Sequence, residues 1–394
     1  MSNRNLLILG LVAVTMVVWA VAMTKISSIQ NTSPAGPGYL IQGLDPDQIA
    51  SITVGKGDEQ TRLVRRRQNF IVANLDNYPA RSEEINKLIT TCLDIKTAEL
   101  YTDNPANHKD LGVTEKDASH LVKFFGADSN LITGVIIGKQ KERREGIGYV
   151  RRVEDNSVYV TAAQIPWIKR RPTDYIEQEL ISVKLEDVES VTVSCPNETY
   201  VLRTADNDTI LLDNLPEGKS LKNDVAGAVL TALAEMRFDD VNTESSRKDL
   251  TFDKRYICRL KDSTGYTFWL AKGGDNGSTS SPSRAQSRGW FAKCDAQFAD
   301  QTPVTMTQGE VESEEQLKKK EAKLLALAAA EEFSRKHKGW IYQIPDYAAE
   351  NMAKPLAELI EDSARPQTQD ETVEEANQFD ANELLDEVAK PAGE

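Results

Sequence analysis

The chain has 394 residues, 40% of them hydrophobic, and a formal net charge of −14. That is enough apolar material for two or three ordinary cores. The acidity is uneven: residues 1–180 carry 22 Lys and Arg against 21 Asp and Glu, and the remainder carries 25 against 40. Residues 346–394 hold 14 acids and 3 bases, which argues against a protein built to coat nucleic acid.

The first element is the run Leu6–Met23, eighteen residues without a charge, preceded by Arg4 and followed by Lys25. It is long enough to cross a bilayer core of roughly 30 Å at about 1.5 Å per residue. Residues 1–26 therefore predict a single-pass transmembrane anchor in a bacterial inner membrane, with the bulk of the chain in the periplasm. A cleaved signal peptide is the alternative, because Ala20-Val21-Ala22 has the small-x-small form of a cleavage site. Residues 27–43 are rich in Ser, Pro and Gly and read as a flexible stalk.

Residues 44–165 read as a first module. The alternation Ile49–Val54 predicts a strand, Gly55–Asp58 a turn and Thr61–Val64 its hairpin partner. A further strand is expected at Phe70–Val72. Ser82-Glu83-Glu84 opens a helix whose apolar face is Ile85, Leu88, Ile89, Cys92 and Leu93. Strands are expected at His120–Phe125, Leu131–Ile137, Gly148–Val153 and Ser157–Val160, separated by Asp/Asn/Ser turns.

The pattern then returns. Ile49–Val54 recurs as Val188–Val193, Lys109-Asp110-Leu111 as Lys248-Asp249-Leu250, and Leu63 as Leu202, all at an offset of 139. One near-constant offset over many residues points to a duplicated domain. After a linker at 166–182, residues 183–345 form the second module, with a helix expected near Lys222–Met236. A helical insertion of about 300–339 precedes the last strand, Trp340–Ile344. Within it Glu312–His337 predicts one helix that caps the sheet or projects as an arm. The fold class expected is α+β: a transmembrane helix, then two tandem modules, each an antiparallel sheet packed with a long helix. Residues 346–394 read as an acidic, largely disordered tail.

Asp110-Leu111-Gly112-Val113, Ile136-Ile137-Gly138-Lys139, Gly148-Tyr149-Val150 and Ser157-Val158-Tyr159-Val160 resemble domain of unknown function 4340. The strand from Leu44-Asp45-Pro46 to Val54 fits the same family, and the resemblance covers roughly residues 44–345. It implies a membrane-anchored extracytoplasmic protein that accompanies an ABC-type transporter permease and ATPase, with a GldG-like subunit. The family defines no catalytic residues, so none is transferred.

Motifs for chemistry are scarce. His108, His120 and His337 lack metal-ligand spacing, and no GxSxG elbow or GxxxxGK[ST] loop occurs; the Gly-rich stretch Gly273–Ser281 reads as a loop. No cofactor or catalytic residue is assigned. Cys92 reads as a packing residue, and a bridge among Cys195, Cys258 and Cys294 is an open alternative. The candidate contact residues for a partner or anionic headgroups are Arg65, Arg66, Arg67, Arg143, Arg144, Lys169, Arg170 and Arg171, with Arg151-Arg152 a further basic pair; solvation is the plain alternative. The function read from the sequence is a non-enzymatic accessory or scaffold protein. An envelope-polymer hydrolase or transferase, or a lipid or ligand carrier, is the alternative.

Overall fold

In the computed structural model, residues 38–141, 146–205, 209–274, 289–300, 302 and 313–363 are described. Alternation decides the first sheet. Ile52 and Val54 of β2 (Ser51–Val54) are buried while Ser51 and Thr53 are half-exposed, so one face of the strand turns to the core. β2 pairs with β3 (Thr61–Arg66), which turns through Arg67 at φ 56° into β4 (Asn69–Val72). After β5 (Tyr78–Pro79), helix α1 (Ser82–Leu93) lays Ile85, Leu88, Ile89 and Cys92 inward. β6 (Lys96–Thr102), β7 (His120–Phe125), β8 (Leu131–Gln140), β9 (Gly148–Arg152) and β10 (Val158–Thr161) complete the sheet, with β1 (Gly38–Tyr39) at its margin. Its order is β1-β6-β10-β9-β8-β7-β2-β3-β4-β5, antiparallel throughout.

The far face of this sheet carries a second, smaller core. Leu111, Val113 and Ala118, from the chain between β6 and β7, cover Leu121, Ile136 and Val158. Gly138 permits the approach: a Cβ there would collide with the Leu111 carbonyl oxygen and come within 2.7 Å of Val113 Cγ1. Lys139 N–H donates to the Leu111 carbonyl at 2.9 Å, so the two Gly-containing motifs meet in space. Arg151, 8% exposed, sits beside this core; its guanidinium donates to the carbonyls of Val113, Arg152, Val153 and Asp155.

The second sheet is built from β12 (Val188–Cys195), β13 (Glu198–Thr204), β14 (Ile210–Leu212), β17 (Asp240–Thr243), β18 (Lys254–Leu260), β19 (Thr264–Lys272), β20 (Trp290–Phe298) and β21 (Trp340–Ile344). Its order is β14-β13-β12-β18-β19-β20-β21-β17. The connectivity equals that of β4-β3-β2-β7-β8-β9-β10-β6 in the first sheet. Register agrees too: Ile52 faces Leu63 and Phe124, and Val191 faces Leu202 and Cys258. Two small ribbons flank the sheet: β11 (Glu179–Ile181) with β16 (Met236–Arg237), and β15 (Lys219–Leu221) with β22 (Ile360–Asp362).

Helix α2 (Asn223–Leu230) is only 8 residues long, and the expected continuation to Met236 is a run of turns. Helix α3 (Glu314–His337) starts at a reciprocal cap, in which Gln316 N–H donates to Ser313 Oγ and Ser313 N–H to Gln316 Oε1. It lies along β20, burying Ala326 and Ala330 and setting Phe333 edge-on to Tyr266 at 5.1 Å. Residues 346–363, read from the sequence as the start of the tail, instead form α4 (Asp346–Met352), α5 (Leu356–Leu359) and β22, with Ala348, Ala349, Met352 and Leu359 buried.

Three expectations require correction. The architecture is dominated by antiparallel sheets with few helices, rather than a sheet and long helix in each module. The expected membrane span, residues 6–23, lies outside the described residues, as do Arg143, Arg144 and the tail from residue 364. Among the described residues no helix is long and apolar enough to cross a membrane. The longest, α3, carries Lys, Glu or Arg on nearly every turn. The single-pass topology and the inner-membrane, periplasm-facing location therefore find no support here.

Candidate functional site

The two sheets are joined by a buried aromatic cluster. Asp76 and Asn77, both at positive φ, swing the chain so that Tyr78 points across the boundary. Its ring lies 4.9 Å from Trp340, 6.0 Å from Phe238 and 6.4 Å from Tyr342, all edge-on. Tyr78 and Tyr342 also share a side-chain hydrogen bond, and burial raises both phenols above their ordinary value. Asp76 Oδ2 accepts from Thr243 N–H at 2.9 Å and from the Ser246 hydroxyl at 2.9 Å. Arg81 N–H donates to the Tyr175 carbonyl at 2.8 Å and ties the start of α1 to the chain between the modules.

Beside this joint runs a groove of about 670 Å³. One wall is the β2–β3 hairpin tip with Lys56, Asp58 and Glu59; another is Arg170, Arg171, Pro172 and Thr173; Asp240 of the second sheet closes the end. The hairpin tip is fixed by Lys56, whose ammonium donates to the Lys116 and Ala118 carbonyls at 2.8 and 2.9 Å. The Arg170 backbone is held by the Thr61 hydroxyl, which donates to its carbonyl at 2.5 Å. Arg171 pairs with Asp174 at 3.0 Å. The exposed Arg170 guanidinium is in no ion pair among the described residues. The groove thus offers cations and carboxylates on a frame with little freedom to move.

The residues singled out in the sequence go to different places. Arg170 and Arg171 enter the groove. Lys169 turns away, pairs with Glu84 at 2.7 Å and lines a separate cavity of about 250 Å³ with Leu88, Thr91, Trp167 and Tyr175. Arg65 is structural: it donates to the Ile49 and Pro46 carbonyls, both at 2.7 Å, and covers the Phe70 ring at 4.8 Å. Arg66 and Arg67 lie exposed at the β3–β4 turn. Arg151 is a buried donor, not a surface charge. Lys56, Asp58 and Glu59 carry no functional signal in the sequence, because charged residues in a Gly-rich turn read as solvated, and Asp240, at the start of β17, belongs to no motif.

Histidines and thiols are absorbed by packing. His108 Nε2 is 2.9 Å from the Asn156 carbonyl, and His120 sits edge-on to Trp167 at 5.6 Å, its pKa lowered by burial and by Arg170. His337 Nδ1 contacts the Tyr342 hydroxyl at 2.7 Å. All four cysteines are free; burial pushes the Cys92 and Cys258 thiols up to about 12 and Cys294 higher still, the opposite of what a nucleophile needs. Among the described residues no group of three His, Cys, Asp or Glu side chains is placed to hold a metal ion.

Residues 72–255, from the end of β4 through the linker into β18, match the family model described as domain of unknown function (DUF4340). These residues belong to the DUF4340 family. No curated protein and no solved structure matches it. The DUF4340 span contains the joint residues Asp76, Tyr78 and Phe238, the Arg170–Thr173 wall and Asp240, so the groove falls largely within the family region.

Proposed function

We propose that the chain is a non-enzymatic accessory or scaffold protein that holds a partner across the groove between its two sheets. One observation carries this reading: the groove is walled by the first module and the linker and closed at one end by Asp240 of the second sheet, and the Tyr78 cluster fixes their relation, so a partner meets a preformed surface. Arg170, Arg171 and Lys56 supply charge that steers an acidic partner, while Asp58, Glu59 and Asp240 limit which ones fit. An ABC-type permease or ATPase, or a GldG-like subunit, is proposed as the partner class on the strength of the family resemblance alone.

The test is a photo-crosslinking residue placed at position 170 of the full chain, in the cells that make it. A light-dependent adduct with one transport subunit, lost when K56E and R171E are added, supports the reading. No adduct, or adducts that ignore those charges, overturns it. A second reading, a polymer hydrolase, is favoured by the three carboxylates on the same groove. It requires that D58N, E59Q or D240N abolish cleavage of an envelope polymer while leaving its binding intact.

A further inference from the structure

The duplicated sheets place one cross-strand rung in two different environments. In the first sheet, Leu121 pairs with Ile136 and Ile136 with Arg151. Register puts Arg255, Trp269 and Lys293 at the same three positions of the second sheet. In the first sheet the chain itself covers the rung: seventeen residues, 103–119, connect β6 to β7, and Leu111, Val113 and Ala118 lie on it. In the second sheet only ten residues, 244–253, make that connection. Phe252 still reaches Lys293, at 4.9 Å, but nothing corresponds to the run Thr114–Ser119 that passes over Leu121.

The uncovered rung has a definite chemistry. Arg255 and Lys293 flank the Trp269 ring at 5.7 Å each. Arg255 is exposed, and Trp269 and Lys293 are half-buried. Trp269 and Lys293 also line a groove of about 720 Å³ with Trp340, Arg335, Lys338 and His337, where the two carboxylates Glu244 and Asp295 stand against the cations. At its inner end His337 is 2% exposed, and its Nε2 has no hydrogen-bond partner. Arg255, Arg259, Lys293, Arg335 and Lys338 are in no ion pair among the described residues, and the Asp295 carboxylate on the same wall accepts from Ser334. Leu250-Thr251-Phe252 thus keeps the place of the Leu-Gly-Val strap, and a cationic, aromatic-floored surface lies open where the Thr114–Ser119 run with Ala118 covers the sister sheet.

We infer that the outer face of the second sheet, at Arg255, Trp269 and Lys293, docks an acidic peptide segment of a partner protein, with a Leu or Val seated on Trp269 between carboxylates that meet the two cations. The half-buried Trp269 ring supplies the apolar half of this description and the cations on either side of it supply the acidic half. The surface is separate from the groove between the sheets, so this inference goes beyond the scaffold reading and stands or falls independently of it.

A fluorescein-labelled peptide, Asp-Ala-Asn-Glu-Leu-Leu-Asp-Glu-Val, serves as the probe; it copies the chain's own residues 380–388. Fluorescence anisotropy with the full-length protein should show saturable binding that weakens as salt rises. R255E and W269A should each weaken it about tenfold, whereas R170E/R171E should not. R255Q, with an unchanged far-UV spectrum, controls for folding. Three results overturn the inference: no binding, binding indifferent to R255E, R255Q and W269A, or equal binding of a peptide with Asn and Gln in place of the acids. A fourth is tighter binding to the full chain carrying E383Q/D386N/E387Q, which would make its own acidic segment the occupant.

Discussion

Tyr78→Ala tests whether the two sheets act as one unit. Tyr78 is 4% exposed and meets Phe238, Trp340 and Tyr342, all contributed by the second module. Truncating a buried aromatic ring costs about 3–5 kcal/mol once the cavity is included. The shared hydroxyl bond adds about 1 kcal/mol, which Tyr78→Phe isolates. A loss of about 4 kcal/mol is a large share of the 5–15 kcal/mol typical of a domain. Because the lost contacts join the modules rather than build either one, the damage should appear as uncoupling. Differential scanning calorimetry should show one endotherm in the parent and two in Y78A, with Y78F retaining one at a slightly lower temperature. If Y78A loses under about 1 kcal/mol and keeps a single endotherm, the coupling lies elsewhere and the fixed groove loses its physical basis.

Further outcomes follow from single sites. Ile52→Asp and Val191→Asp place a charge at positions with 0% exposure and should each unfold their sheet, read as loss of the far-UV spectrum in soluble expression trials. Gly138→Ala should cost about 2 kcal/mol in urea denaturation, because the new Cβ meets the Leu111 carbonyl and Val113. Arg151→Ala should cost about 3 kcal/mol by the same measurement, since it strips the donor from carbonyls beside the small core. Burial lowers the His337 pKa from 6.5 to about 4. The unfolded chain therefore takes up the proton first, and stability held above pH 6.5 should fall between pH 6.5 and 4 by about 3 kcal/mol. His337→Gln should flatten that slope in denaturation curves taken across the same range.

What the sequence disclosed depended on whether one face was dry. Ile52 and Val54 alternate with half-exposed neighbours, and Val191 and Val193 with the small polar side chains Ser190, Thr192 and Ser194, so those strands are legible. β6 is not: every residue from Lys96 to Thr102 is exposed or half-exposed, including Leu100 and Tyr101, so no period-2 signal exists to read. Arg151 reads as surface charge in the sequence because a basic pair on a strand gives no hint that carbonyls of a distant loop converge on it. The second helix is shorter than its apolar spacing predicts, because Thr231–Glu235 continues that spacing after the backbone has begun to turn. At the groove, Arg170 and Arg171 were legible as charge, but Lys169, next to them, faces another cavity. Only the path of the linker decides that.

The two rungs show how one sheet supports different surfaces. Leu121 and Ile136 are tolerable only beneath a cover, because apolar side chains left in water forgo about 25 cal/mol for each Å² uncovered. A shortened connection therefore demands either loss of the apolar rung or another cover. The second sheet has changed the rung: Arg255 and Trp269 stand where Leu and Ile stood. Lys293 keeps the cation of Arg151 but not its ring of carbonyls. Substitution by three solvated polar residues would have met the demand for solubility alone. Trp269 does not fit that account, since a large aromatic ring held half-exposed between two cations at 5.7 Å is a poor way to avoid contact. The first module carries the Thr114–Ser119 run over its rung as part of itself; the second lacks that run and leaves Trp269 open between two cations, on a frame the Tyr78 joint holds in register with the groove.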